Sequence, residues 1–327
     1  MAGTNSQDNR NKAAKRQARA DRQAATAAAQ QAQAEQAAKE RRQQTIIGAV
    51  VVAIVVVLIA VIGIVVYHNV HKSNATKNLT VQDAYSQLQN VKSTPKGAND
   101  KGGFLISKDG YGKKVAGVPT VGEYFDPLCP GCANFNREVD PTLKSLMDAG
   151  QINLELYPMS FLDGSSTDQY SSRASGAIAY IAGHDDNPDH LVSFIASIYA
   201  ENFQPEEGQN YKPVSDAALK EQALKAGVPE SVASKAFGHE YQDWLSAINT
   251  YTPKRPELWN TEGQNKGAMT TPTVTFNGTA LDMTKVSSLG MDLKTAVLNS
   301  IGLTSSQVGK EGQLPSIGAS GKPVSLG

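Results

Sequence analysis

Only two residues in the 327 can do thiol chemistry, Cys129 and Cys132, and they are separated by Pro130 and Gly131. A C-x-x-C where a strand gives way to a helix reads as a redox pair, because a bridge closing so short a loop restrains little of the unfolded chain. Cys129 would stand at the start of the helix. There the dipole and the free amides of the first turn favour a thiolate that is both nucleophile and leaving group. Cys132, one turn further in, is placed to attack a mixed disulfide on Cys129 and release its partner. Pro130 suits an early helical position whatever the chemistry. The rival reading, half of a zinc site, needs two more ligands. The histidines are His68, His71, His184, His190 and His239, and none sits at paired spacing. No metal is therefore expected. His184 and His190, close to Asp185, Asp186 and Asp189, read as a surface helix boundary.

The elements that must position this pair can be read around it. Gly103–Ser107 has strand character and runs into Asp109-Gly110, a tight-turn pair. Thr120–Phe125 reads as a second strand, Pro130–Asp148 as a helix and Ile152–Tyr157 as a third strand. That order predicts a βαβ unit with parallel strands. From Thr167 to about Asn265 the pattern is helical: Leu191, Phe194, Ile195, Ile198 and Tyr199 keep helical spacing, as do Phe237, Tyr241, Trp244, Leu245 and Ile248. Pro229 suits the first turn of that latter helix. Thr273–Phe276, Asn277-Gly278 and Thr279–Leu281 form a hairpin signal, and Asp292–Ile301 closes as a helix. The expectation is an α/β sheet domain over 103–164 and 266–302, an all-helical insertion over 165–265, and a Gly/Ser/Pro-rich disordered tail over 303–327.

With the elements in place, a family likeness emerges. Leu128-Cys129-Pro130-Gly131-Cys132 resembles the active-site turn of thioredoxin-fold proteins, and Glu123-Tyr124-Phe125 strengthens the likeness. DsbA-like thiol–disulfide oxidoreductases of the thioredoxin superfamily carry an acid six positions before the first cysteine, followed by aromatics, and Glu123 occupies that place. Thr271-Pro272-Thr273 is similar to the family's cis-proline segment, and a helical domain inserted at this point is a DsbA feature. The likeness covers about residues 103–302. It implies a thioredoxin fold in which Cys129 attacks, Cys132 resolves, and Glu123 is a buried acid assisting proton transfer at Cys132. It further implies that Pro272 packs in cis against the disulfide and that the Thr271 backbone pairs with a substrate peptide. No cofactor is implied beyond the Cys129–Cys132 disulfide itself. One departure is Gly131, where DsbA has a histidine that helps hold the thiolate. On the residues alone, Glu123 could also be an exposed strand-end acid, since Gly122 blurs the alternation, and Pro272 an ordinary trans edge proline.

Ahead of this region the sequence changes character. From Ile46 to Val66 every residue is apolar or glycine. At 1.5 Å per residue that run spans roughly 30 Å, the thickness of a bilayer's hydrocarbon. A transmembrane helix over 46–67 is expected, with Tyr67 as an interfacial anchor. The run is longer than a signal-peptide core and its leader is too long, although Ser73-Asn74-Ala75 is a loose cleavage-like triplet. Residues 1–45 hold nine Lys or Arg against four acids, within a chain of net charge zero. Arg41 and Arg42 abut the span, so this Ala/Gln-rich head is expected in the cytoplasm and residues 68–327 outside. The head lacks large apolar residues and reads as a solvated tail. Residues 68–102 read as a linker with one short helix, opened by Thr80 and Asp83 as a capping pair.

Three functions fit these readings. The favoured one is a membrane-anchored oxidase that donates its disulfide to reduced or unfolded exported proteins and is recycled by a quinone-linked thiol oxidase in the membrane. The second is a reductase or isomerase kept reduced by a membrane electron donor, for which Gly131 argues. The third is a non-catalytic peptide-binding chaperone. The membrane lipid is a partner through the anchor. The charge balance gives no reason to expect nucleic acid.

Overall fold

The computed structural model describes residues 79–326. The head, the predicted span over 46–67 and residues 68–78 of the linker lie outside the described residues. Among those described, no helix is long and apolar enough to cross a membrane.

The fold is organised by β3 (Thr120–Phe125), whose side chains are buried along almost its whole length. It pairs in parallel with β4 (Asn153–Pro158), in register from Thr120 opposite Asn153 to Phe125 opposite Pro158. On its other side it pairs antiparallel with β5 (Thr273–Phe276). β1 (Phe104–Ser107) and β2 (Gly110–Tyr111) extend the sheet beyond β4, and β6 (Thr279–Ala280) extends it beyond β5, giving the order β2-β1-β4-β3-β5-β6. The Asn-Gly turn forms as its sequence predicts. Asn277 and Gly278 both take positive φ, 50° and 82°, which this tight turn requires.

Between β3 and β4 runs α2 (Pro130–Asp148), whose inward face buries Phe135, Val139, Leu143, Leu146 and Met147. Each such side chain contributes about 1.5–3 kcal/mol by leaving water, which holds the helix on the sheet despite Pro141 in its interior. The closing helix α9 (Leu293–Ile301) packs against α2; it is capped by Asp292, which accepts from the Thr295 amide at 2.8 Å, and ends at Gly302 in the left-handed region. A short helix α8 (Met283–Ser288), capped by Asp282, precedes it.

The helical block comprises α3 (Tyr170–His184), α4 (Pro188–Ile198), α5 (Asp216–Lys225), α6 (Glu230–Ala233) and α7 (Gln242–Tyr251). It meets the sheet domain through Trp244 against Phe104, with ring centroids 5.7 Å apart. Arg255, just after α7, donates to the Tyr124 hydroxyl at 2.9 Å.

Three expectations need correction. The helix read from Pro229 through Ile248 is broken: α6 is one turn, and His239 at φ 58° redirects the chain before α7 begins. Phe237 and Tyr241 still pack on the core, so the apolar spacing reported burial without reporting continuity. The linker helix α1 (Val81–Gln89), with its Thr80/Asp83 capping box, is not a free element. It buries Ala84 and Leu88, and Tyr85 meets Tyr251 of α7 at 5.3 Å. The tail over 303–326 is not a loose end. Leu303 is buried, the Val324 amide donates to Ser300 at 2.8 Å, and Asn277 donates to the carbonyls of Gly318 and Gly321. Fully buried Gln151 donates to the carbonyls of Gln307 and Gln313 and accepts from the Gly309 amide. A composition rich in Gly, Ser and Pro thus describes an ordered strap held by backbone acceptors, which periodicity does not reveal.

Candidate active site

β3 ends at Phe125, and the turn Asp126-Pro127-Leu128 hands the chain to α2. Asp126 builds that turn. Its carboxylate accepts from the Leu128 amide at 2.9 Å, the Leu162 amide at 2.9 Å and the Ser171 hydroxyl at 2.6 Å. Its carbonyl accepts from the Cys129 amide at 2.9 Å and the Tyr199 hydroxyl at 2.8 Å. One residue therefore ties the strand end, the loop after β4, α3 and the end of α4 to the start of the active-site helix.

Cys129 is the N-cap of α2, in an extended conformation, and its sulfur accepts from the Cys132 amide at 3.3 Å. A sulfur here takes the place that a Ser or Asp oxygen usually fills, satisfying a donor that the helix cannot satisfy itself. Pro130 at N1 has no amide to leave unpaired. The Cys129 thiol also donates to the Thr271 carbonyl at 3.4 Å, and the Thr271–Pro272 peptide is cis. Gly131 faces the same proline: a Cβ there would come within 3.3 Å of Pro272 Cδ and 3.7 Å of Cys129 Sγ. The turn and the cis-proline segment, about 140 residues apart in sequence, thus close on each other as the family likeness implies.

Both cysteines are free and both are buried. The Cys132 sulfur accepts from the Asp126 amide at 3.5 Å. Burial, above all, pushes the Cys132 thiol well above its ordinary range; its hydrogen bond to Cys129 and the charges of Cys129 and Asp126 push the same way. The inner thiol is therefore held protonated. Gln204 donates to the carbonyls of Pro127 and Cys129, at 3.1 and 3.2 Å, and pins the turn from the insertion side.

Glu123 is 1% exposed, which settles the alternatives in favour of the buried acid. Gly122 blurred the alternation for a physical reason: β3 is covered on both faces. A Cβ at Gly122 would lie 2.5 Å from Thr275 Oγ1. Burial raises Glu123 well above the ordinary carboxylate range, and Asp140 on α2 raises it further. Asp126 and Asp140 are themselves each pushed up by burial to about 7.

Sequence reading had located Cys129, Cys132, Glu123, Pro130, Gly131, Thr271 and Pro272, and the structure places them as follows. The two cysteines, Pro130, Gly131, Thr271 and Pro272 surround one sulfur, while Glu123 lies below, under α2. It had missed Asp126, Gln204, Tyr199 and Asp140. Asp126 carried a signal, as an Asx residue before proline at a strand end, which marks a side chain that bonds its own turn. Asp140 carried another. Cys132, Asn136 and Asp140 recur every four residues, a polar stripe along what is otherwise the apolar face of α2. The expected surface boundary at His184 and His190 is seen as His190 bonded to Asp185 at 2.9 Å.

Comparison with known proteins agrees with this geometry. The thioredoxin family model matches residues 110–293. A stretch of 104 residues, 31% of the chain, is 30% identical to the serine/threonine-protein kinase PknE of Mycobacterium tuberculosis. The chain spans only 18% of that protein. Among solved structures it is similar to the reduced disulfide bond oxidoreductase DsbG of M. tuberculosis (26% identity, TM-score 0.42, covering 55% of this chain and 81% of that one). It is also similar to reduced DsbA of M. tuberculosis (23%, TM-score 0.45, 60% and 95%) and to MdbA, a thiol-disulfide oxidoreductase of Actinomyces oris (20%, TM-score 0.47, 68% and 91%). From the match over 110–293, and with the C-x-x-C at a helix start facing a cis-proline, the chain belongs to the thioredoxin family.

Proposed function

We propose that this protein is a DsbA-like thiol–disulfide oxidoreductase, anchored in the membrane with its catalytic domain outside the cytoplasm, that introduces disulfides into exported proteins. The observation that carries the reading is the Cys129 sulfur at the helix N-cap, bonded to the Cys132 amide and to the Thr271 carbonyl. A thiol so placed sits where helix amides stabilise sulfur charge and where a backbone segment lies ready to pair with a peptide. The inner thiol, protonated and buried, is the resolving partner.

In the oxidised protein a substrate thiolate attacks Cys129 and the Cys129–Cys132 bond breaks, its electron pair leaving with Cys132. A second substrate thiolate then attacks the mixed disulfide and expels Cys129. The substrate gains a disulfide and the protein is left as the dithiol seen in the structure. Because both sulfurs are buried, attack requires the cover over the turn to yield, and the Gln204 bonds are part of that cover.

The anchoring and placement rest on the apolar run 46–66 and on Arg41 and Arg42 beside it. Recycling by a quinone-linked membrane thiol oxidase is part of the same proposal. One observation favours a reductase or isomerase instead: Gly131 offers no side chain to hold a Cys129 thiolate.

The test is trapping in cells. Cys132→Ser in the full-length protein should accumulate mixed disulfides with exported proteins through Cys129. Recovery of none, with the variant folded and present, would refute exchange on this pair.

A further inference from the structure

Beneath the active-site turn lies a second feature, which the exchange steps above do not use. Glu123 and Asp140 each keep one buried carboxylate oxygen without a hydrogen-bond partner, and the other Asp140 oxygen accepts from Asn136. Two buried carboxyls cannot both stay ionised close together. One holds a proton, and that proton satisfies the lone pairs that are otherwise left over.

The fold places them together in two independent ways. Asp140, half-buried with one fully buried oxygen, continues the stripe Cys132, Asn136, Asp140 along α2. Leu156, the cross-strand neighbour of Glu123 and so on the same face of the sheet, lines a small cleft that Asp140 also lines. That cleft, about 10 Å³, has room for about one water molecule. It lies between α2, β4 and α4. Lys144, partly exposed and bridged to Asp148 at 2.8 Å and Asp189 at 2.9 Å, is among its lining residues.

From this we infer that Asp140 is a positioning residue for disulfide exchange: it shares one proton with Glu123 and, through the cleft, lets that proton pass between the buried Cys132 sulfur and solvent. The inference rests on the exchange reading above. When the Cys129–Cys132 bond breaks, Cys132 leaves with an electron pair and takes a proton from Glu123. Both carboxyls are then without a proton until Asp140 takes one from solvent through the cleft, and that proton becomes the one the pair shares. Resolution of a mixed disulfide by Cys132 runs the same path backwards.

The charged and titratable groups around the pair are few. α2 supplies Cys132 and Lys144, α4 and its flank supply Asp189 and Tyr199, and the turn after β3 supplies Asp126. β4 and β5 present Leu154, Leu156 and Val274 on this side, and the residues that α9 buries include no titratable group. Tyr199 feels the charges of Cys132, Cys129, Asp126 and Glu123 together, so Glu123 and the thiols share one electrostatic neighbourhood.

The test is the pH profile of Cys132 in the full-length protein, followed as the rate at which the oxidised form is reduced by dithiothreitol. Asp140→Asn should slow that rate about tenfold at neutral pH, less than loss of a direct proton donor costs, and move the profile's midpoint down. Asp140→Glu should restore it. Alkylation of Cys129 in the reduced protein should change less than about twofold. An unchanged profile in a folded Asp140→Asn protein, or an equal effect on Cys129 alkylation, would overturn the inference. Wild-type protein that exchanges no disulfide would instead overturn the exchange reading. If the variant does not fold, an infrared pH titration of wild-type carboxyl bands, assigned with Glu123→Gln, decides: coupled two-step titration supports the shared proton, and independent one-step titrations refute it.

Discussion

Asp126→Asn should make the protein more stable at alkaline pH, although the wild-type carboxylate accepts three hydrogen bonds. Two effects compete at this residue. Two backbone amides and a hydroxyl stabilise its charge, and alone could hold a carboxylate below its usual range. Complete burial opposes them and wins, raising the group from 3.8 to about 7. At about 1.4 kcal/mol for each tenfold change in proton affinity, that rise is worth roughly 4 kcal/mol. The sign follows from linkage. A raised group adds stability that is fully present below about pH 4 and is lost as pH climbs through about 7. Asparagine mimics the neutral acid, because a protonated carboxyl and an amide both keep one carbonyl oxygen and put a donor group in place of the other oxygen. The two proteins should therefore agree within about 1 kcal/mol at pH 4. By pH 9 the variant should lead by up to about 4 kcal/mol. Glu123 and Asp140 are also raised, but they contribute alike to both proteins and cancel in the difference. The assay is urea unfolding of the reduced proteins across that range, followed by the fluorescence of Trp244 and Trp259. A difference that stays flat, or that favours the wild type increasingly with pH, would show that the hydrogen bonds outweigh burial.

Two other outcomes are expected. Deleting residues 304–327 strips buried Gln151 of two acceptors and a donor, and at about 1–3 kcal/mol for each of its two unpaired polar groups it should cost roughly 2–6 kcal/mol in urea unfolding. A deletion variant as stable as the full chain would contradict the ordered strap. Cys129→Ser should abolish disulfide transfer to a reduced protein substrate, because Cys132, the other thiol, is buried and held protonated, and retained transfer would refute Cys129 as the attacking sulfur.

Much of the architecture was legible because its signals are local. Strand order around Cys129, the Asn277-Gly278 turn and the helices over Pro130–Asp148 and Asp292–Ile301 all depend on near neighbours in sequence. The same holds for the thiol pair, whose spacing carries its chemistry. What stayed hidden depends on residues far apart. Asp126 looks like a turn aspartate until Leu162 and Ser171 arrive from the chain beyond β4. Asp140 looks like a helix-surface acid until β3 supplies Glu123 beneath it. The strap over 303–326 carries no apolar period, because it is held by its carbonyls against Gln151 and Asn277. The break before α7 was missed because Phe237 and Tyr241 keep their burial while the backbone turns at His239.

The central claim is that Cys129 and Cys132 form a disulfide that the protein gives away. It is tested most directly by the reduction potential of that pair, measured by equilibrating the full-length protein with glutathione buffers and counting alkylated thiols. The account predicts a value closer to the roughly −120 mV of a strong oxidant such as DsbA than to the roughly −270 mV of thioredoxin. A value at or below that of thioredoxin would contradict disulfide donation and make the protein a reductase in need of an electron donor.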